Sequence, residues 1–156
     1  MKKIKILYIT LFLFMIFGVL GITGSLLTIF LGEINLLEVY AYRNFGILTP
    51  FISILISIML LCGIFNIQKA LQGFLRNTYF NAKSAKHLKT GGLILVGSSI
   101  LAILNGFING SFVDKESLLL SSIIYCLLLI IGIAVLAVSD IITKGEVIEQ
   151  ENLLTI

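Results

Sequence analysis

Residues with obvious chemistry are few in this chain and they do not cluster. His87 is the only histidine, standing among lysines, and no second ligand lies at metal-binding spacing from it. A solvated surface imidazole explains it without a catalytic or metal-binding role. The two cysteines, Cys62 and Cys126, both fall inside apolar runs. Their depths differ by about eight residues, roughly 12 Å at helical rise, too far for a disulfide. They are expected to be buried thiols filling small apolar gaps. No nucleophile with a neighbouring base, no metal set and no carboxylate pair emerges within the apolar runs. The chain is therefore not expected to be an enzyme, and no cofactor is expected.

What remains is a set of small polar side chains: Ser53, Ser57, Asn105, Asn109, Ser121 and Ser122. Thr49, Ser53 and Ser57 recur at i, i+4 and i+8, which puts them on one helical face. Two roles suit such residues. They could bond one helix to another, with Asn109 reaching Ser121 or Ser122 across a short turn, each bond contributing roughly 0.6 kcal/mol. Alternatively they could line a polar pocket open to the outer face.

The elements carrying these residues are four stretches without Asp, Glu, Lys, Arg or His: 6–32, 44–68, 90–113 and 117–139. At 1.5 Å per residue, about 20 residues cross a bilayer core of about 30 Å. The 156-residue chain is 58% hydrophobic, with a mean hydropathy of +1.11, more than a soluble domain of this size can hide. Hydrocarbon leaves backbone groups only helices or closed barrels, and continuous Leu- and Ile-rich runs are helical rather than barrel-like. The expected fold is all-α, an integral membrane four-helix bundle forming a single domain over residues 1–156. Spans are expected near 6–31, 49–68, 90–111 and 118–139, with a loop at 69–89 and a tail at 140–156. The first run is about twice the length of a signal-peptide core and lacks a cleavage motif, so it reads as a retained span.

Basic residues set the expected orientation. Lys2, Lys3 and Lys5 precede the first span, Lys69, Arg76, Lys83, Lys86 and Lys89 separate the second from the third, and Lys144 follows the fourth. Only Arg43 and Lys115 lie opposite, so both termini are expected to be cytoplasmic. The net charge of +3 hides two poles, a basic loop and a tail bearing Asp140, Glu146, Glu149 and Glu151. The loop suits anionic lipid head groups at on the order of 1 kcal/mol per cation. Direct nucleic-acid binding is not expected without a DNA-binding element.

Gly18, Gly21 and Gly24, and the Gly106/Gly110 pair beside Asn105 and Asn109, suit close helix packing. Residues 33–48, with tyrosines among a few charges, suit a segment at the outer interface. Thr49-Pro50 signals a helix start. Leu71, Phe74 and Leu75 carry that helix beyond its apolar run. Asn77 to Phe80 reads as a turn, with Asn81 a candidate cap for the third helix.

Two segments carry a family resemblance. The approach to the third helix, Phe80-Asn81-Ala82-Lys83-Ser84-Ala85-Lys86-His87-Leu88-Lys89-Thr90-Gly91, resembles that of the DUF2975 membrane family. Ala85 stands where that family often has a polar residue. The tail from Lys144 to Ile156 is similar to the family's acidic ending, although Leu153 occupies the place of an acidic residue. With four spans in agreement, the resemblance extends over nearly the whole chain. It implies a small multi-pass protein of the bacterial cytoplasmic membrane, in a family without established activity, often encoded beside a small helix-turn-helix regulator.

That association gives the tail a use. An acidic, mobile segment ending in Leu153, Leu154, Thr155 and Ile156 offers apolar side chains and a carboxylate to a partner, as against a frayed end. A regulatory or interactive role follows as the leading expectation, with Lys83, Lys86, Lys89, Glu146, Glu149, Glu151 and the last four residues holding a soluble partner such as that regulator. The alternative is a small-solute transporter, channel subunit or peptide-immunity protein using the outer polar pocket. A pathway would require a homo-oligomer, because one small bundle leaves little room for a pore.

Overall fold

The computed structural model describes residues 2–31, 46, 48–75, 82–109 and 115–154, with side chains through Glu151. Four helices account for their regular structure: α1 (Lys2–Phe30), α2 (Leu48–Leu75), α3 (Ala82–Asn109) and α4 (Lys115–Leu154). All four are long and apolar enough to cross a membrane. The protein is thus an all-α, multi-pass membrane chain. Large apolar side chains such as Phe17, Phe107 and Leu120 point outward and stay exposed, an arrangement only lipid can solvate.

The helices pack in chain order, α1 on α2, α2 on α3 and α3 on α4. Contacts run in opposite directions along each pair: Gly18 meets Leu61, Gly63 meets Gly91, and Gly92 meets Gly132. The bundle therefore has a basic end, where α1 and α3 begin and α2 and α4 finish, and a far end. Each helix overruns its uncharged stretch at the basic end, where water can solvate the additional charged turns. As expected, α2 continues through buried Leu71 and packed Phe74 to Leu75, and its start at Leu48 fits the Thr49-Pro50 signal.

Packing is concentrated toward the basic end. Ile64, Ile67, Ala70 and Leu71 of α2 meet Ala85, Leu88 and Leu95 of α3 and Ile142 of α4, with Ile4, Tyr8, Leu11 and Met15 of α1 against them. Adjacent glycines on α3 serve different neighbours, because successive helical residues diverge by about 100°. A Cβ on Gly91 would lie 2.9 Å from the Gly63 carbonyl oxygen of α2. One on Gly92 would lie 3.1 Å from the Gly132 carbonyl of α4. One interhelical hydrogen bond supports the second contact: Ser139, 1% exposed, donates to the Ala85 carbonyl at 2.8 Å. Helix α1 has no buried residue and is held more lightly.

Several expectations are corrected. Packing falls on Gly63, Gly91, Gly92 and Gly132, whereas Gly21, Gly24 and Gly106 face open space and only Gly18 of the first set meets a neighbour. Cys62 and Cys126 are exposed rather than buried; Cys62 sits one residue from the Gly63 contact and is turned away from it. The tail is helical as far as Leu154, since α4 continues through it. It contains no proline, and its Lys, Glu and Gln are good helix formers. Residues 33–45, Asn77 to Phe80, Asn81 and Gly110 lie outside the described residues.

Candidate functional site

Toward the far end the packing loosens and a cavity of about 210 Å³ opens between α2, α3 and α4. Ser53 and Ser57 enter it from α2, Asn105, Gly106 and Asn109 from α3, and Ser121 and Tyr125 from α4. Five of the six residues expected in a polar pocket therefore share one cavity. Ser122 does not line it, because one step along α4 rotates the side chain away. Gly106 and Tyr125 were not anticipated as lining residues. The first signals only as a small residue between two asparagines, and the second lies one turn beyond Ser121.

Among the described residues, these groups do not bond helix to helix. Ser53 donates to the Thr49 carbonyl at 3.1 Å, Ser57 to the Ser53 carbonyl at 2.9 Å, and Ser121 to the Ser117 carbonyl at 2.7 Å. Each hydroxyl proton is turned back onto its own helix, as serine commonly does, leaving oxygen lone pairs for other partners. Asn109 likewise turns back, its Nδ2 donating to the carbonyl and to Oδ1 of Asn105 at 3.0 and 3.1 Å. The expected bond from Asn109 to Ser121 or Ser122 is not made among the described residues, because own-helix carbonyls one turn away satisfy the donors first.

That arrangement leaves an acceptor over. Asn109 is 3% exposed, yet its Oδ1 has no hydrogen-bond partner among the described residues. Flipping the amide would set the oxygen against two Asn105 acceptors, so the bonding pattern fixes the orientation. An unsatisfied buried carbonyl costs roughly 1–3 kcal/mol, and one beside a cavity marks a position for a donor. Among the described residues, Asp, Glu, Lys, Arg and His are absent from the lining.

At the basic end, Lys83, Lys86 and Lys89 are exposed around the start of α3, and Lys69 Nζ sits 4.5 Å from the centre of the Phe65 ring, a cation–π contact. His87 lies in this collar, ahead of the uncharged span beginning at Thr90. Partial burial lowers its pKa below 6.5, and the charges of Lys69, Lys83 and Lys86 lower it further. The collar repels protons and attracts anions. Glu146 is half-buried while Glu149 and Glu151 are exposed on the last turns of α4. Leu153 and Leu154 belong to the same helix, and Thr155 and Ile156 lie outside the described residues. No group of three or more His, Cys, Asp and Glu residues could hold a metal among the described residues.

A family model described as a protein of unknown function, DUF2975, matches residues 37–156. The match takes in α2, α3 and α4, with the glycine contacts and the polar cavity, and leaves α1 outside, narrower than the near-complete resemblance expected from the two segments. No curated protein and no solved structure matches the chain. With more than three quarters of its length matched, the chain belongs to the DUF2975 family.

Proposed function

We propose that the protein is a ligand-binding protein of a bacterial cytoplasmic membrane, taking a small donor-bearing molecule into the cavity between α2, α3 and α4. The positive-inside rule puts the basic end in the cytoplasm and the cavity toward the outer face. The reading rests chiefly on the buried, unpartnered Asn109 Oδ1 beside a cavity whose serine hydroxyls are already bonded to their own helices. Interhelical glue is the competing role for such residues, and no described residue of this cavity makes such a bond. Glycerol, with three hydroxyl donors, is a suitable probe. Titrated into asparagine-labelled protein in nanodiscs, it should shift the Asn105 and Asn109 side-chain amide signals saturably. Asn105→Leu with Asn109→Leu should abolish binding, read by saturation-transfer from glycerol, without lowering membrane abundance. Absence of a saturable shift in the native chain overturns the reading.

A second reading has its own observation. Helix α4 runs on past Asp140 to Leu154, carrying Glu149 and Glu151 beside exposed Val147 and Ile148. A projecting acidic helix with apolar side chains is a docking element for a soluble partner, such as a small helix-turn-helix regulator held at the membrane. Removing residues 145–156 should release that partner while insertion persists; retention of the partner by the shortened chain defeats this reading.

A further inference from the structure

The polar cavity is continuous in its lining with a larger space. Ser53, Ser57 and Leu60 also line a cleft of about 520 Å³ between α1 and α2. Its walls are mostly apolar, with Phe14, Ile22, Ile54 and Leu61 among them. It contains a buried polar atom in need of a partner: Thr49 is 2% exposed and its Oγ1 makes no hydrogen bond among the described residues. Two orphaned oxygens, Thr49 Oγ1 and Asn109 Oδ1, thus flank the shared Ser53 and Ser57 face.

We infer that the two spaces form one site for a neutral single-chain amphiphile, its hydroxyl-bearing head among Asn109, Ser57 and Ser121 and its hydrocarbon chain in the α1–α2 cleft. The inference rests on the ligand-binding reading above and names the ligand class. Acceptors in excess of free donors call for a head that donates. Among the described residues no charged side chain lines either space, which favours a neutral head, since an unpaired charge is strongly disfavoured in a medium of low dielectric. The cleft runs along α2 from Thr49 to Ile64, about 22 Å at helical rise, which suits an extended chain. Its other wall is α1, which has no buried residue to hold it rigidly in place.

Two glycines allow each half to be blocked separately. Gly21 lines the cleft and Gly106 the polar cavity, and a Cβ at either meets nothing within 4 Å. Gly97, equally open but lining neither space, is the control. The probe is a monododecanoylglycerol with a photoreactive diazirine on its chain, added to the full chain in phosphatidylcholine nanodiscs, a lipid whose head has no N–H or O–H donor. Labelling should concentrate on Ile22, Ile54 and Leu61 and be competed by unlabelled monododecanoylglycerol but not by methyl dodecanoate. Gly21→Leu and Gly106→Leu should each reduce competable labelling at least tenfold, and Gly97→Leu should not. Even labelling of lipid-facing residues such as Phe17 and Leu120, without competition, overturns the inference. Should glycerol still bind while the chain adds no affinity and Gly21→Leu has no effect, the inference falls and the polar-cavity reading stands. Unchanged binding of both probes to Gly106→Leu removes the polar-cavity reading and the amphiphile with it. If a variant does not fold, the competition in the native chain decides.

Discussion

Gly91→Ala and Gly106→Ala are the same chemical change on the same helix, and the structure assigns them opposite signs. In a helix interior alanine is favoured over glycine by about 0.8–1 kcal/mol in water, partly through the freedom glycine has when unfolded. At Gly106 the added methyl meets nothing within 4 Å, so this gain is retained, reduced to the extent that a membrane-inserted helix is already formed. At Gly91 the methyl lies 2.9 Å from the Gly63 carbonyl oxygen, 2.9 Å from Ile67 Cγ1 and 3.2 Å from the Ile67 amide nitrogen. Two of those atoms are backbone and cannot swing aside, so α2 and α3 must separate at this crossing. Overpacking of this kind costs about 1–3 kcal/mol. Gly91→Ala should therefore be net destabilising, by up to about 2 kcal/mol after its propensity gain. Gly106→Ala should be neutral or stabilised by up to about 1 kcal/mol. Steric-trapping measurements in bicelles, read as the free energy of separating the tagged helices, resolve a gap of this size. Equal stability of the two variants, or a more stable Gly91→Ala, would refute the close α2–α3 crossing.

The remaining predictions follow from single contacts. Ser139→Ala removes the buried bond to the Ala85 carbonyl and should lower stability by about 0.6–1.7 kcal/mol in the same assay. Asn109→Leu removes a buried unsatisfied oxygen together with the bonds that its Nδ2 donates to Asn105, two opposing effects of about 1 kcal/mol, so the ligand-free protein should keep its stability to within about 1 kcal/mol while glycerol binding is abolished; a variant that still binds glycerol would remove Asn109 from the site. The His87 imidazole should titrate below 6.5 by NMR, because burial and then Lys69 disfavour its charged form, and Lys69→Gln should raise the midpoint. Its folded pKa being the lower one, the neutral form is favoured by folding: the associated stability is full above pH 6.5 and lost as pH falls toward the folded value. Circular dichroism of the full chain and of one ending at Lys144 should differ by the helical signal of residues 145–154; equal signals would contradict the continuation of α4.

The four spans were legible because lipid imposes a length and a composition that soluble cores do not require, so uncharged runs mark them without reference to any partner. The polar residues of the cavity were legible for a related reason: Ser53, Ser57, Asn105, Asn109 and Ser121 stand out against hydrocarbon and occupy matched depths on successive antiparallel helices. Their bonding was not legible. A serine can donate to its own helix or to a neighbour's carbonyl at similar distance, and the choice depends on where that neighbour lies. The glycines show the same division. Gly-x-x-x-Gly spacing drew attention to Gly106, yet the close crossings use Gly63, Gly91, Gly92 and Gly132, because contact depends on which face each helix turns to the next.

Sequence alone determined the medium, the number of helices and the placement of charge, since each follows from transfer free energies that are summed residue by residue along the chain. Tertiary structure decided that α3 packs on both α2 and α4, that α1 is lightly held, and that two spaces open on either side of α2, each lined by a buried oxygen without a partner among the described residues. Those features depend on rotation of each helix about its axis and on how closely backbones approach. A change of about 100° in that rotation moves the packing from one residue to the next while leaving hydrophobicity along the chain unchanged.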